Sequence, residues 1–173
     1  MNILIVRLSS IGDIIHTLPA VPLLKDYYPE SILTWVTGSA GAELLTGYQG
    51  IDRIIVFPDA DIHAYWHNRR VLRVVGTVAD FVKKIRQQHY DLVLDFQGLL
   101  KSGLIVCASR SKYKIGLSNA REGACLFYDH SVPPAAFDAH GIQRNVALLS
   151  ALGIDPQPVL FSALFNEDDV RAL

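Results

Sequence analysis

The stretch Asn2-Ile3-Leu4-Ile5-Val6-Arg7-Leu8-Ser9-Ser10-Ile11-Gly12-Asp13 decides the fold class. Asn2–Val6 is a short apolar run with no alternation. Such a run predicts a central parallel strand, buried on both faces. Ser9, Ser10 and Gly12 then form a turn. Asp13–Tyr28 reads as helical, with Pro19 and Pro22 as kinks or restarts.

Working outward, the alternation repeats. Ile32–Val36 reads as a strand, Ser39–Thr46 as a short helix closed by Gly47, and Ile51–Phe57 as a third strand. Residues Pro58–Val75 read as irregular. Gly76–His89 is an amphipathic helix with Val78, Phe81, Val82 and Ile85 on one face. Asp91–Phe96 is a strand, Leu99–Ser109 a helix and Tyr113–Leu117 a fifth strand. Ala120–Asp129 reads as a helical turn, with a short strand at His130–Val132 and a helix over Ala139–Leu152 ended by Gly153. The tail holds Pro156, Pro158, an apolar run at Val159–Leu164 and a helix start at Asn166–Leu173. Strand and helix at this spacing predict an α/β fold, a Rossmann-like doubly wound parallel sheet. Its binding crevice lies at the carboxyl ends of the strands.

Composition sets limits. The chain has 173 residues, half of them hydrophobic, which suits one domain with a full core. A formal net charge of -1 gives no global field toward nucleic acid or an anionic surface. Cys107 and Cys125 sit in apolar surroundings without CxxC spacing, and read as buried thiols of a reducing compartment. The apolar runs are too short to span a membrane, and Arg7 and Asp13 interrupt any signal-peptide core. A cytoplasmic protein is expected. No His, Cys or Asp cluster has metal-ligand spacing, so no metal is expected.

Four segments carry chemistry. The turn after Val6 lacks the three glycines of a dinucleotide fingerprint. Gly12 permits close backbone approach, and Ser9 or Ser10 can cap the helix. Asp13 is either a stabilising charge in a first helical turn or a general base at the crevice. In Asp91-Leu92-Val93-Leu94-Asp95-Phe96-Gln97-Gly98-Leu99-Leu100-Lys101-Ser102, Gly98 fits a tight turn, and Gln97 and Ser102 offer neutral hydrogen bonds. Lys101 is either a solvated lysine or a cation at the mouth of the crevice. In Ser118-Asn119-Ala120-Arg121-Glu122-Gly123, Arg121 either pairs with an acid or recognises a carboxylate or phosphate. The segment His63–Arg73, with Arg69, Arg70 and Arg73, is either a solvated face or a site for an anionic, amphiphilic ligand.

Three of these motifs, in this order, resemble glycosyltransferase family 9, the ADP-heptose:lipopolysaccharide heptosyltransferases. Ser-Ser-Ile-Gly-Asp-Ile-Ile-His-Thr-Leu-Pro-Ala is similar to that family's amino-terminal signature, and favours its heptosyltransferase I branch. The other two are the D-x-Q-G-x-x-K-S segment and Ala120-Arg121-Glu122. The resemblance runs from Met1 to about Gly153. It implies the N-terminal half of a GT-B glycosyltransferase: residues 1–153 as an acceptor-binding domain, residues 154–173 as the start of an interdomain linker, and the C-terminal nucleotide-sugar domain absent.

The resemblance further implies an inverting, metal-independent transfer with ADP-heptose as donor and no cofactor. The acceptor is the Kdo region of a lipid A precursor, reached by peripheral contact with the inner membrane. Asp13 is the implied catalytic base. Ser10, Gly12, Gln97, Lys101, Arg121, Arg69, Arg70 and Arg73 are the implied acceptor-binding residues. His140 and Arg144 match a similar His-Ala-x-x-Arg pattern with Gly141 in place of alanine, and read as supporting groups or a helix face. His16 is expected to pack on its own helix. A reading from another class is a non-catalytic Rossmann-like or flavodoxin-like domain binding phosphate at the Ser9–Gly12 loop.

Overall fold

A computed structural model describes residues 1–134 and 141–154. Six strands form one parallel sheet: β1 (Asn2–Val6), β2 (Ile32–Thr37), β3 (Arg53–Val56), β4 (Tyr90–Asp95), β5 (Ser111–Leu117) and β6 (His130–Val132). Their order is β3-β2-β1-β4-β5-β6. The expected doubly wound, Rossmann-like sheet is therefore observed.

β1 sits between β2 and β4, with Leu4 beside both Thr34 and Val93. Its period of two sorts side chains between two cores. Ile3 and Ile5 pack on one face with Ile14, Leu18, Val21, Leu24 and Leu149. Leu4 and Val6 pack on the other with Phe81, Ile85, Ile105 and Val106. Each such fully buried aliphatic chain contributes about 1.5–3 kcal/mol. This is why the strand is apolar without alternation.

The helices are α1 (Ile11–Thr17), α2 (Ala20–Tyr27), α3 (Ser39–Leu45), α4 (Asp59–His67), α5 (Val71–Ile85), α6 (Leu100–Ala108) and α7 (Gly141–Val146). Short 3-10 turns cover Ala124–Phe127 and Ala147–Leu152. The expected helix over Asp13–Tyr28 is two helices. Pro19 has no N–H to continue the first, so α1 ends and α2 restarts at Ala20. Pro22 falls in the first turn of α2, where its lost donor has no helical partner in any case.

Residues Pro58–Val75 are not irregular. They form α4, a tight turn and the first turn of α5. The turn is a Schellman closure: the Arg70 N–H donates to the Tyr65 carbonyl and the Arg69 N–H to the Trp66 carbonyl. Arg69 holds the left-handed conformation (φ 55°) that glycine usually takes there.

The cysteines also depart from expectation. Cys107 is exposed and Cys125 partly so. α6 turns its small residues Ser102 and Gly103 to the interior, leaving the stripe Leu100, Leu104 and Cys107 outside. Among the described residues no helix is long and apolar enough to cross a membrane. His140, the helix start at Ala139 and the tail from Pro156 lie outside the described residues.

Candidate active site

The strand order reverses at β1. The chain steps from β1 outward to β2 and β3, then returns to β4 on the opposite side. The loops leaving β1 and β4 therefore part at their carboxyl ends and open a crevice. A cleft of about 350 Å³ lies there, lined by Arg7, Asp13, His16, Phe96, Gln97, Gly98, Leu117, Asn119, Ala120, Arg121, Gly141, Arg144 and Asn145.

Asp13 is the third residue of α1. Its carboxylate reaches back to the start of the helix, where Oδ2 accepts the Ser10 N–H at 3.1 Å and the Ser10 hydroxyl at 3.1 Å. Oδ1 meets the Arg7 Nη2 at 2.8 Å. The Asp13 side chain remains 47% exposed. Partial burial pushes its carboxyl upward. The Ser10 N–H, the Arg7 charge and the Ser10 hydroxyl outweigh that and hold it below the ordinary carboxylate value. Asp13 is thus ionised at neutral pH and faces the cleft.

Arg7 is the residue that sequence reasoning missed. It leaves the end of β1 and is buried, and it also donates to the Phe96 carbonyl. Burial lowers its pKa against the opposing charges of Asp13 and Asp95. A charge directly after a strand buried on both faces was the signal available, because such a group needs a specific partner.

The β4 loop is held from below by Asp95, which is 1% exposed. Its carboxylate accepts the N–H groups of Gln97 and Gly98, at 2.8 and 3.1 Å, and the hydroxyls of Ser102 and Tyr128, at 2.8 and 2.7 Å. Burial pushes the Asp95 carboxyl up, and these four donors oppose it without cancelling it. Burial and the Asp95 charge push the Tyr128 hydroxyl well above the usual phenol range. Gln97 then bridges the two loops: its Oε1 accepts the Leu8 N–H at 3.0 Å and the Ser9 N–H at 3.2 Å. Gly98 (φ 65°) lets that loop close on Ala120, and its carbonyl accepts the Arg121 N–H at 2.8 Å.

The Asp13 carboxylate, the guanidinium groups of Arg7, Arg121 and Arg144 and the Gln97 amide thus share one cleft at the switch point. The model of glycosyltransferase family 9 (heptosyltransferase) matches residues 78–168, more than half of the chain. The chain belongs to glycosyltransferase family 9.

The family match covers the D-x-Q-G-x-x-K-S and Ala120-Arg121-Glu122 segments, and Asp13 precedes it. Individual relatives extend over Asp13. The lipopolysaccharide core heptosyltransferase OpsX of Haemophilus influenzae is 24% identical over 172 residues, 98% of this chain and 46% of that protein. Lipopolysaccharide heptosyltransferase 1 of Salmonella typhimurium is 31% identical over 161 residues, 90% of this chain and 49% of that protein. Among solved structures, Escherichia coli heptosyltransferase WaaC with ADP-2-deoxy-2-fluoro heptose superposes with a TM-score of 0.80 at 27% identity. It covers 92% of this chain and 51% of that one. The chain spans about half the length of the curated relatives it matches.

Within this family-9 chain the cleft gathers Asp13, Gln97 and Arg121 from the expected site residues. Ser10 holds Asp13 from the cap, and Gly12 beside it has open space where a side chain would stand. Gln97 spends its carbonyl oxygen on the β1 loop. Arg121 does not pair with Glu122, whose carboxylate instead accepts the Leu100 N–H at 3.1 Å. Lys101 is not among the cleft residues: its Nζ lies 5.0 Å from the Phe57 ring centroid. Arg69, Arg70 and Arg73 line separate shallow depressions on the α4–α5 hairpin.

Two further residues, His16 and Arg144, line the cleft. His16 does not simply pack on its own helix. It lines the cleft against Gly141, where an added Cβ would stand 2.6 Å from the His16 Nδ1. Arg144 faces the same space from α7. The Ser10 N–H is already bound by a carboxylate, which disfavours a phosphate at that turn. Among the described residues no three His, Cys, Asp or Glu side chains group as metal ligands.

Proposed function

We propose that the chain is the N-terminal, acceptor-binding half of an inverting heptosyltransferase of lipopolysaccharide inner-core synthesis. The donor is ADP-L-glycero-D-manno-heptose, and the acceptor is the Kdo region of a lipid A precursor at the cytoplasmic face of the inner membrane. The ADP group is held by a second, C-terminal domain that the relatives' length has room for. Family membership, the relatives' names and the WaaC likeness support this reading.

The observation that carries it is the ionised, half-exposed Asp13 carboxylate in the crevice at the β1/β4 switch point. Asp13 accepts the proton of the acceptor hydroxyl as that oxygen bonds to the anomeric carbon. The bond from that carbon to the diphosphate breaks on the opposite side, and ADP leaves with the electron pair. Attack and departure on opposite faces invert the centre. The reaction so written needs no cofactor, because the diphosphate is already a good leaving group and the base is a side chain.

A carboxylate held low is a weak base in water. Closure of the second domain over the cleft expels solvent and restores basicity where it is used. Arg121 holds an acceptor anion inside the cleft, and Lys101, Arg69, Arg70 and Arg73 hold anions beyond its rim.

The test joins this chain to a C-terminal half of the kind its relatives carry and measures heptose transfer. Asp13→Ala is expected to lower kcat by roughly 10²-fold or more. Unchanged turnover in that variant removes the base assignment. The 173-residue chain alone is expected to bind acceptor weakly and to transfer little. Appreciable transfer by it would place donor binding within these residues and overturn the division of labour.

A further inference from the structure

α4 and α5 form a hairpin that the core hardly uses. No α4 residue is buried, and in α5 burial begins only at Phe81. The free part of the hairpin is apolar where water meets it. Leu72 is 88% exposed and Trp66 69%. Val71, Val75 and Val78 are also exposed, and their spacing puts them on one face of α5. Monomeric proteins rarely leave such a contiguous stripe open without a use for it.

Cations rim this stripe. Arg69, Arg70 and Arg73 are exposed and, among the described residues, in no ion pair. No acidic residue occurs between Asp61 and Asp80. The hairpin follows β3 and returns the chain to the start of β4, so its tip stands at the carboxyl edge of the sheet. That is the edge that carries the Asp13 cleft.

We propose that the α4–α5 hairpin is a bilayer anchor. Trp66, Val71, Leu72 and Val75 enter the boundary between headgroups and acyl chains of an anionic leaflet, and Arg69, Arg70 and Arg73 lie on lipid phosphates. Apolar helix surface rimmed by arginine is the make-up of an interfacial helix, and tryptophan suits that depth. Charge complementarity decides for lipid over protein: three cations in no ion pair among the described residues, with no acid in the sequence between Asp61 and Asp80, match a sheet of phosphates. The anchor rests on the functional reading above in one respect, that the acceptor is carried by the membrane. It adds how the cleft is brought to the acceptor.

The two tryptophans make the test direct. Trp35 is fully buried and Trp66 is open, so a change on adding lipid reports Trp66. The chain is mixed with vesicles of phosphatidylglycerol and phosphatidylcholine, with vesicles of phosphatidylcholine alone, and with vesicles brominated on the acyl chains. Binding to the anionic vesicles, a blue shift and quenching by bromine are expected. Leu72→Ser is expected to weaken partition by roughly tenfold. Each arginine changed to glutamine should weaken it by roughly fivefold on anionic vesicles only.

Failure to bind anionic vesicles overturns the anchor. So does binding without bromine quenching, which would be charge attraction alone, or binding that Leu72→Ser leaves intact. Shielding of Trp66 from acrylamide on joining the C-terminal half, with no vesicle binding, would make the stripe an interdomain surface and also overturn it. Transfer to an acceptor lacking acyl chains should be equal in wild type and Leu72→Ser. Vesicle binding with no transfer to any acceptor supports the anchor and overturns the functional reading instead.

Discussion

The Arg7 guanidinium meets the Asp13 carboxylate at 2.8 Å, and the two arrive from opposite surroundings: the arginine side chain is 10% exposed and the aspartate 47%. Arg7 is also tied to the Phe96 carbonyl of the neighbouring loop. The arginine is therefore the fixed partner and the carboxylate the presented one. Gln97 adds a second tie between the same two loops. The base is thus held directly by Ser10 and Arg7, and the loop after β4 acts on it only through Arg7 and the β1 loop.

After the Ser10 N–H, Arg7 does most to hold the Asp13 carboxyl down. Methionine at position 7 keeps much of the length and drops the charge. The Asp13 carboxyl then rises toward its ordinary value, because burial still pushes it up while the Arg7 charge and hydrogen bond are gone. In the protein joined to its second half, the acid limb of the kcat/KM profile should move to higher pH in Arg7→Met. An acid limb at the same pH in both proteins would mean that another group controls it.

Stability carries the same signature with a definite sign. Asp13, Asp52 and Asp91 all sit below the ordinary carboxylate value. Burial opposes this on all three but is outweighed, by Ser10 and Arg7 on Asp13 and by Lys25 and the Leu33 N–H on Asp52. The Asn2 N–H and Lys112 hold Asp91 down. A depressed carboxyl contributes stability that is complete above its unfolded value, about 3.9. That stability is lost as pH falls toward the folded value. Asp95 is raised, so its contribution weakens as pH climbs through its folded value. Asp13→Asn should therefore lower the urea midpoint at neutral pH and flatten the decline below about pH 3.9. Parallel curves would show that Asp13 binds its proton equally well folded and unfolded.

Much of this was legible in the chain. The unbroken run at Ile3–Val6 could only be a strand covered on both faces, and β2, β4 and β5 followed from the spacing. Asp13, Gln97 and Arg121 were readable because small residues and glycine mark the turns that carry them. α4 was hidden because Arg69 takes the left-handed closing position that glycine normally signals. Cys107 was misplaced because α6 is apolar nearly all round, and only its small residues reveal which side meets the sheet. The Gln97–Ser9 contact was out of reach, since it depends on β4 lying beside β1 and not on any local pattern.

The Asp95 cluster should dominate the stability of the site. Tyr128→Phe removes one of four donors and leaves the others in place, at a cost of about 1 kcal/mol. Asp95→Ala strands the Tyr128 hydroxyl and two backbone N–H groups around a cavity, leaving the Ser102 hydroxyl only the Leu99 carbonyl as acceptor, and should cost about 3 kcal/mol or more. Gly116→Ala attacks the same place by overpacking, because its new Cβ would collide with the Tyr128 ring. Urea titration ranks the three. Equal stability in Asp95→Ala and wild type would mean that this network carries no net energy.

Arg121 separates recognition from folding. Its backbone is pinned by the Gly98 carbonyl at 2.8 Å. Its side chain enters no ion pair among the described residues and lines the cleft with Asp13. Arg121→Gln therefore removes no folding contact, and the melting temperature should hold. An anion bound equally in ground and transition state is uniform binding, so its loss raises KM and spares kcat. KM for the acceptor should rise by about tenfold, with kcat within about twofold. Arg121→Lys keeps the charge but loses the planar fork, and should recover only part of the affinity. If all three proteins share one KM, the acceptor anion lies elsewhere in the cleft. Arg144, whose guanidinium also enters no ion pair among the described residues, is then the group to change.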